Sequence, residues 1–274
     1  MINKDTQLCV SIAERPSNFG TTLHNMAYTA MNLNFIYKAL AISDVEGAIT
    51  GVRALGIRGC SISMPFKERV IPYIDELDET AKIIGAVNTV VNDSGHLIGY
   101  NTDVLGAMMS IKSLKLLSTE SVLILGAGGV AKAIIFALKH LGITRIKVAN
   151  RHLEKIYRLN SILPCIPIAW SEREAEPVDI IINATSMGMH PNQELMPLGR
   201  EYISKARAVM DVVISPMETL LVSLARSLGK EVAPGYLMSL EQTMCQFKLY
   251  TGIEAPRELM EENLKFMLDQ TINR

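Results

Sequence analysis

The segment from residue 122 to residue 152, VLILGAGGVAKAIIFALKHLGITRIKVANRH, is the feature that most restricts how this chain can fold. A short apolar strand leads into a glycine loop, the loop opens an apolar helix, and a second strand follows. The loop fits the pattern G-x-G-x-x-G/A, whose small residues allow a tight turn, close approach of a pyrophosphate and close helix–strand packing. The positive end of the helix then faces the phosphates. The segment therefore predicts a dinucleotide-binding unit that uses Gly126, Ala127, Gly128, Gly129, Val130 and Ala131.

The second strand of this unit ends in Asn150-Arg151, where units that bind NAD usually carry an acidic residue. A carboxylate at this point accepts hydrogen bonds from the ribose hydroxyls and repels a 2′-phosphate. Arg151 instead offers a planar, permanently charged group that suits phosphate, and Lys147 and Lys155 add positive charge nearby. The alternative is an ordinary solvated arginine. The pattern favours NADP over NAD and assigns Asn150, Arg151 and Lys155 to the cofactor.

The size and charge of the chain limit its architecture and partners. Its 274 residues predict two domains. The 27 Lys and Arg nearly balance the 28 Asp and Glu and form no basic run, which argues against nucleic acid and anionic membranes as partners. No apolar run approaches the roughly 20 residues of a membrane span, and the polar start MINKDTQLCV lacks the apolar core of a signal peptide. We expect a soluble, cytoplasmic protein with a small-molecule substrate, either a monomer or a homodimer.

The four cysteines are far apart in the sequence, and no histidine lies at ligand spacing from them. This spacing supports neither a structural zinc site nor a disulfide framework, so we expect reduced, mostly buried thiols and no metal.

The order of apolar segments indicates an α/β fold in two parts. The first hundred residues alternate predicted strands (QLCVSIA, FIYKALAI, IRGCSISM) with predicted helices (TTLHNMAYTAMNLN, DVEGAITGVRALG, PFKERVIPYIDEL). The sequence N-D-S-G between two apolar runs then predicts a hairpin, and DVLGAMMSIKSL a connecting helix. Five strand candidates follow (SVLILG, RIKVAN, VDIIINAT, AVMDVVI, EVAPG), whose spacing predicts a doubly wound parallel sheet. The tail from Leu237 is predicted to be helical throughout and could return to the first domain.

A nicotinamide enzyme that acts on an alcohol needs a group that moves the hydroxyl proton. Zinc ligands are missing, and no tyrosine has a lysine four residues later, which excludes the arrangement of short-chain dehydrogenases. In the first domain Lys67 follows Pro65 in a predicted helix, and Asn88, Asn101 and Asp103 lie near the domain junction. A partly desolvated lysine beside an aspartate can exchange protons near neutral pH. Residue spacing alone equally allows Lys67 as a surface lysine and Asp103 as a helix N-cap.

The motifs SMPFKE, GAVNTV, GYNTD, GAGG, ANR, NATSMGM and EQTMCQF follow the order and spacing of the shikimate dehydrogenase family, which this chain resembles over essentially its whole length. The resemblance implies an N-terminal α/β substrate domain, here expected to have a mixed sheet and to comprise residues 1–102 plus 238–274. It implies a Rossmann-type NADP domain over residues 103–237. Lys67 and Asp103 would be the catalytic pair. The resemblance assigns further residues to the substrate (Ser63, Asn88, Gln242) and to the surroundings of the cofactor (Asn183, Thr185, Met187, Gly235).

The chain departs from the family pattern where the substrate carboxylate is held. The family has S-x-S-P before a helix that carries His-Asn. This chain keeps the His-Asn pair as His24-Asn25, but the serines and proline are replaced by Asn18, Gly20 and Thr21. Ile214 also stands where a tyrosine is expected, and the cofactor motif N-R-T ends in histidine. We expect Asn18 and Thr22 to contact the substrate and shikimate itself to be a poor substrate.

The leading hypothesis is therefore an NADP-dependent oxidoreductase of a shikimate-like cyclic hydroxy acid, in aromatic amino acid biosynthesis, that interconverts a hydroxyl and a ketone. One alternative is a cofactor- or metabolite-binding regulator with incidental turnover. Quinate and an aminated shikimate analogue remain alternative substrates. Retention of both Lys67 and Asp103 favours an enzyme, because a binding protein has little use for that pair.

Overall fold

A computed structural model describes residues 2–272. The chain folds into two compact units. The first contains the residues up to Thr102 and those from Gln242 onward, and the second runs from Asp103 to Glu241.

Strands and helices alternate through most of the described chain. The strands are β1 (Gln7–Ala13), β2 (Phe35–Ala41), β3 (Gly59–Ile62), β4 (Glu76–Leu77), β5 (Thr89–Asp93), β6 (His96–Tyr100), β7 (Ser121–Leu125), β8 (Arg145–Asn150), β9 (Ile166–Ala169), β10 (Ile180–Asn183), β11 (Ala208–Asp211) and β12 (Glu231–Ala233). The α-helices are α1 (Phe19–Ala30), α2 (Val45–Ala54), α3 (Glu79–Ile84), α4 (Asp103–Ser113), α5 (Gly129–His140), α6 (Leu153–Ile162), α7 (Arg200–Lys205), α8 (Leu220–Ser227), α9 (Gly235–Thr251) and α10 (Arg257–Ile272).

The sheet of the first unit is mixed, as predicted. Its strand order is β2-β1-β3-β5-β6-β4, with β1 parallel to β2 and β3, and β5 antiparallel to β3 and β6. The predicted hairpin is confirmed between β5 and β6. Its two turn residues, Ser94 and Gly95, have φ of 54° and 95°, which suits a tight two-residue connection between twisted strands.

The two faces of this sheet are covered differently. On one face, apolar residues of β1 and β3 pack against α2 in an aliphatic core that includes Val10, Ile12 and Ile49. The other face carries an aromatic layer from α1, β2 and α9. In this layer the ring of Tyr28 lies 5.3 Å from that of Phe247.

Two predicted helical segments of the first unit are wrong. Residues 65–70 form consecutive turns rather than a helix begun by Pro65, and a short 3₁₀ helix follows at Ile71–Tyr73. A helix from Pro65 would place Pro72 in its interior, where proline lacks the N–H donor and clashes with the preceding turn. The tail is likewise not helical throughout. It breaks between α9 and α10, where Gly252 has a φ of 74° and Pro256 precedes the new helix.

The second unit has the predicted parallel, doubly wound sheet. Its strand order is β12-β11-β10-β7-β8-β9, and every neighbouring pair is parallel. Val122 and Ile124 of β7 face a core that α4 and α5 complete, whereas Leu123 and Leu125 face a core that α7 and α8 complete. Burial on both faces explains why the strands read as continuous apolar runs.

One strand of the second unit was not predicted. β9 contains Pro167 and pairs with β8 at the edge of the sheet. Proline is tolerated at an edge because one side of the strand needs no N–H donor. Its short sequence, IPIA, therefore gives a weak strand signal.

Gly59 tests the packing of α9 on β3. A Cβ at this position would lie 2.2 Å from Cδ1 of Tyr250, whose ring is almost completely buried. We expect Gly59→Ala to lower the free energy of unfolding by about 1–3 kcal/mol, measured by urea denaturation. Gly51→Ala in α2 is the matched control, because a Cβ there meets no atom within 4 Å and alanine favours a helix by up to about 1 kcal/mol. Equal stability of Gly59→Ala and the unchanged protein would contradict the packing.

Candidate active site

The glycine loop of the second unit requires glycine for two different reasons. Gly126 has a φ of 105°, and its N–H donates to the carbonyl oxygen of Ala149 at 2.8 Å. A Cβ at Gly126 would lie 2.8 Å from the carbonyl oxygen of Ala184. At Gly128, by contrast, a Cβ would meet no atom within 4 Å. The first glycine allows the turn, and the second leaves open space in front of α5.

The start of α5 is suited to an anion. The first N–H groups of a helix have no partner within the helix, and they lie at its positive end. Gly129 and Val130 are partly exposed there, whereas Ala131 is fully buried against the sheet. This arrangement can hold phosphate groups by backbone N–H donors, as the loop pattern predicts.

The end of β8 lies beside this loop, because Leu125 of β7 and Ala149 of β8 are paired in register. The Nδ2 of Asn150 donates to the carbonyl oxygen of His152 at 3.0 Å. Arg151 and Lys155 are exposed, and within the described chain neither forms an ion pair. Their charges are therefore available to a ligand.

Lys147 does not add free positive charge, and that expectation is wrong. Its ammonium group donates to the Glu176 carboxylate, and it holds the pKa of Glu176 below its usual range. The ion pair neutralises Lys147. Sequence reasoning missed this ion pair because Glu176 is 29 residues from Lys147 in the sequence.

Asn183 uses its whole amide to shape the loop after β10. Its Nδ2 donates to the carbonyl oxygen of Met187 at 3.1 Å and to Oδ1 of Asp211 at 3.0 Å. Its Oδ1 accepts from the N–H and the hydroxyl of Thr185 at 3.1 and 2.6 Å. The side chain is fully buried, so Asn183 holds Thr185 and Met187 in place through the loop.

Asp211 is a buried acid that sequence reasoning missed. It accepts hydrogen bonds from Asn183, from the N–H of Val213 at 3.1 Å and from the hydroxyl of Thr219 at 2.7 Å. Burial raises the pKa of Asp211 to about 6, although these hydrogen bonds oppose the shift. The side chain ties the loops after β10 and β11 to the start of α8. Its signal was a single carboxylate in the apolar run VMDVVI.

Gly235 is needed for close packing at the start of α9. A Cβ at this position would lie 2.2 Å from the carbonyl oxygen of Val213. The glycine therefore lets α9 begin directly against the loop that Asp211 holds. In the second unit, the predicted residues of the glycine loop, β8, the β10 loop and Gly235 thus all lie at or just after the carboxyl ends of parallel strands.

In the first unit, Ser63 and Lys67 follow the end of β3, which lies beside the end of β1. The N–H of Ser63 donates to the carbonyl oxygen of Ile12 at 3.0 Å, and the N–H of Glu14 donates to that of Met64 at 3.2 Å. The carbonyl oxygen of Lys67 accepts from the N–H of Val87 at 2.8 Å. Ser63 and Lys67 are therefore held beside the segment that leads into Asn88.

Asn88 lies at the centre of a buried hydrogen-bond group. Its Oδ1 accepts from the N–H of Thr102 at 2.8 Å, from the Thr102 hydroxyl at 3.2 Å and from the Thr89 hydroxyl at 2.8 Å. Gln246 of α9 donates from Nε2 to the hydroxyls of Thr89 and Ser61 at 3.0 and 3.1 Å. Gln242, which the family resemblance names, precedes Gln246 by one helical turn. Sequence reasoning did not identify Gln246.

Asn101, Lys67 and Asp103 do not belong to the hydrogen-bond group around Asn88 that is described above. The Nδ2 of Asn101 donates to the carbonyl oxygen of Ala86 at 2.8 Å, which holds the turn before Asn88. Lys67 belongs to the first unit, and Asp103 is the buried first residue of α4 in the second.

The start of α1 carries the altered carboxylate motif. Asn18 caps α1 by its backbone, and its exposed side chain makes no capping hydrogen bond. The N–H of Thr22 donates to the carbonyl oxygen of Asn18 at 2.9 Å. Gly20 lies against Tyr37, and the buried Thr21 hydroxyl has no partner among the described residues. Donors are thus present at this end of α1, but they differ from the serine pair of the family.

The retained His24-Asn25 pair lies inside the first unit. Asn25 joins α1 to β2 by donating to the carbonyl oxygen of Tyr37 and accepting from its N–H. His24 stacks on the ring of Tyr37 at 4.3 Å, and burial lowers the pKa of His24 to about 3. His24 is therefore a neutral interior residue.

The described part of the chain offers no metal site and no membrane-crossing helix. Among the described residues, no group of three or more His, Cys, Asp or Glu could hold a metal ion, and the four cysteines are free. None of the described helices combines the length and apolar character that a membrane crossing requires.

Comparison with protein families gives two matches that together cover most of the chain. A family profile described as the shikimate dehydrogenase substrate binding domain matches residues 19–90. A second profile, described as shikimate / quinate 5-dehydrogenase, matches residues 109–217.

Individual relatives match over nearly the whole length. A shikimate dehydrogenase-like protein of Haemophilus influenzae is 42% identical over 268 residues, which cover 97% of this chain and 98% of that protein. The structure of shikimate 5-dehydrogenase from Thermus thermophilus in complex with NADP(H) and shikimate has a TM-score of 0.84 and 27% identity, with coverage of 97% and 99%. The structure of quinate dehydrogenase from Corynebacterium glutamicum in complex with NAD has a TM-score of 0.87 and 29% identity, with coverage of 95% and 99%.

Proposed function

The chain belongs to the shikimate dehydrogenase family, and we propose that it oxidises a hydroxyl group of a shikimate-like cyclic hydroxy acid to a ketone, with NADP as its cofactor. The proposal rests on two features that occur in the same chain. One is a glycine loop suited to an anion, next to Arg151, which forms no ion pair among the described residues. The other is the presence of both Lys67 and Asp103. We assign the first compact unit to the substrate and the second to the cofactor.

The second unit fits NADP by its own geometry. The open space at Gly128 and the N-terminus of α5 suit a pyrophosphate. Asn150 and the free charges of Arg151 and Lys155, next to this loop, suit the ribose and its 2′-phosphate. Thr185 follows β10 and Gly235 follows β12, two strands along the same sheet edge, where the other half of a dinucleotide binds in such folds. Bound there, NADP in its oxidised form would supply the hydride acceptor for oxidation of the alcohol carbon.

Lys67 and Asp103 are proposed to handle the hydroxyl proton. In its neutral form, the side-chain amine of Lys67 can take the proton of the reacting hydroxyl. The Asp103 carboxylate can then orient and stabilise the ammonium group that forms. In the reverse direction Lys67 returns the proton to the ketone oxygen. Positioned proton transfer of this kind contributes about 10²–10⁴-fold to the rate.

Ser63, Asn88 and Gln242 are proposed to hold the substrate hydroxyls. The carboxylate end is where the chain departs from its relatives, because Asn18, Gly20 and Ile214 replace two serines and a tyrosine. Each hydrogen bond to a charged group contributes about 1.5–3 kcal/mol, so two losses amount to about 3–6 kcal/mol. Shikimate should therefore be used about 10²–10⁴-fold less well than by a standard member.

Part of this loss can be recovered. The Asn18 amide, the Thr22 hydroxyl and the buried Thr21 hydroxyl lie at the start of the same helix, and each carries a donor. A substrate whose acid group is displaced towards them would fit the site better than shikimate. Quinate is the second candidate, because it is a cyclic hydroxy acid and the chain is similar to a quinate dehydrogenase.

The choice of cofactor is tested at Arg151. We expect NADP to bind far better than NAD, and Arg151→Ala to remove most of this preference, because a charged hydrogen bond is worth about ten- to a hundredfold in affinity. Both affinities can be measured by calorimetric titration. Arg158→Ala, another exposed arginine on the following helix α6, is the control and should leave the preference unchanged. Equal affinity of the unchanged protein for NADP and NAD would contradict the assignment.

The proton-transfer pair is tested by single and double substitution. Lys67→Ala and Asp103→Ala should each lower kcat by about 10²–10⁴, while NADP affinity stays nearly constant. In the double variant, kcat should fall by much less than the product of the two single fold-decreases, since the residues act as one unit. Lys82→Ala, at an exposed lysine of α3, is the control. Ordinary turnover by Lys67→Ala in steady-state assays would show that the pair is wrongly assigned.

A further inference from the structure

The Asp211 carboxylate, at the end of β11, accepts hydrogen bonds from three separate elements of the second unit. Its Oδ1 accepts from Nδ2 of Asn183 on β10 at 3.0 Å and from the N–H of Val213 in the loop after β11 at 3.1 Å. Its Oδ2 accepts from the Thr219 hydroxyl, at the start of α8, at 2.7 Å. The Asp211 side chain is fully buried. Each of these partners donates, so the position suits a group that only accepts.

The direction of the bond from Thr219 is fixed by the helix that it caps. Thr219 Oγ1 accepts from the N–H of Val222 at 3.2 Å, and a backbone N–H can only donate. The hydroxyl proton of Thr219 is therefore directed to Asp211. An asparagine in place of Asp211 would bring an NH₂ group that faces these donors, although its shape is nearly the same.

The loop after β10 depends on the same carboxylate through the amide of Asn183. The N–H of Thr185 donates to Oδ1 of Asn183 at 3.1 Å, so the amide is turned with its Nδ2 towards Asp211. That Nδ2 also donates to the carbonyl oxygen of Met187 at 3.1 Å. The N–H of Met187 in turn donates to Oγ1 of Thr185 at 3.1 Å. The conformation of residues 184–187 therefore depends on an amide orientation that Asp211 maintains.

The position of these loops along the sheet indicates which half of a dinucleotide they serve. β10 and β11 lie on one side of β7, and β8 lies on the other. In doubly wound folds a dinucleotide crosses the carboxyl ends of the strands at the first strand, with its pyrophosphate at the first helix. The proposed 2′-phosphate contact, Arg151, follows β8. The loops that Asp211 holds are therefore on the side of the nicotinamide half.

Stability alone does not account for an ionised acid at this position. Burial raises the pKa of Asp211 from its ordinary value of 3.8 to about 6. Because the folded-state value is the higher one, ionisation of Asp211 opposes folding above about pH 6, and this cost diminishes as the pH falls below that value. A neutral side chain would avoid the cost. The orientation of the surrounding donors is a better explanation for the carboxylate.

We propose that Asp211 is a positioning residue for the nicotinamide half of the cofactor, acting through Asn183 and the loop after β10. The inference rests on the proposed function, in which the second unit binds NADP. Since its side chain is fully buried, Asp211 acts through the loops and not by contact with the cofactor. The adenosine half, at the glycine loop and Arg151, does not depend on Asp211.

The two halves are separated experimentally by comparing NADP with 2′,5′-ADP, which carries the adenosine and the 2′-phosphate but no nicotinamide. Asp211→Asn should lower the affinity for NADP about tenfold and leave the affinity for 2′,5′-ADP unchanged, both measured by calorimetric titration. Normal binding of 2′,5′-ADP also shows that the variant is folded. Thr219→Val removes one donor to Asp211, should act in the same direction, and decides the question if Asp211→Asn does not fold.

Asp179→Asn is the matched control at the opposite edge of the same sheet. Asp179 directly precedes β10, and its Oδ2 accepts from the N–H and the hydroxyl of Ser121, the first residue of β7, both at 2.7 Å. This variant should leave the ratio of the two affinities unchanged. If Asp211→Asn binds NADP as tightly as the unchanged protein, or weakens NADP and 2′,5′-ADP equally, the inference is overturned while the cofactor assignment stands.

The contact between Asn183 and Asp211 is tested by exchanging the two side chains. Asn183→Asp alone places two carboxylates side by side and should weaken NADP binding. Combining it with Asp211→Asn restores one amide opposite one carboxylate, so the double variant should bind NADP better than Asn183→Asp alone. A double variant that loses the full product of the two single fold-decreases would contradict the contact.

A measurement without ligand separates this inference from the proposed function. Backbone hydrogen exchange of residues 184–190, followed by mass spectrometry, should be faster in Asp211→Asn and unchanged in Asp179→Asn. If the unchanged protein binds no NADP, the proposed function fails, and hydrogen exchange still decides whether Asp211 holds the loop. Equal exchange of this segment in Asp211→Asn and the unchanged protein would overturn the positioning role.

Discussion

The parallel pairing of strands is the constraint on which both candidate sites depend, because it brings the carboxyl ends of successive strands to one edge of a sheet. In the second unit this edge places Gly126 beside Ala149 and next to the loop of Asn183. In the first unit it brings together the loops after β1 and β3, where the N–H of Glu14 donates to the carbonyl oxygen of Met64. Residues distant in sequence thus become neighbours, and short loops can carry the polar groups that an apolar sheet excludes.

Local signals predicted much of this fold. The glycine loop, the hairpin at Ser94 and Gly95 and the apolar strands depend on backbone conformation or burial that nearby residues determine. The helix predicted after Pro65 failed because a second proline, Pro72, interrupts it. β9 was missed because Pro167 weakens its pattern, although an edge strand tolerates that proline.

Pairings between distant residues were beyond sequence reasoning. The hydrogen bond between Gln246 and Thr89 joins residues that are 157 positions apart in the sequence. The hydrogen bond between Asn183 and Asp211 joins residues that are 28 positions apart. The ion pair of Lys147 with Glu176 likewise cancels a charge that the sequence alone suggested was free. Each of these outcomes depends on which side chains the tertiary fold brings together, whereas the glycine loop depends on backbone space within one short segment.

We propose that this chain retains the proton-transfer residues of its family but holds the acid group of its substrate with different residues. Steady-state oxidation of a panel of cyclic hydroxy acids, followed by NADPH formation, tests it most directly. We expect turnover of at least one acid other than shikimate, with kcat/KM for shikimate itself below the common enzyme range of about 10⁴–10⁸ M⁻¹s⁻¹. A kcat/KM for shikimate within that range would show that the altered anchor has no effect. If none of the acids in the panel gives NADPH, that result would contradict the dehydrogenase assignment.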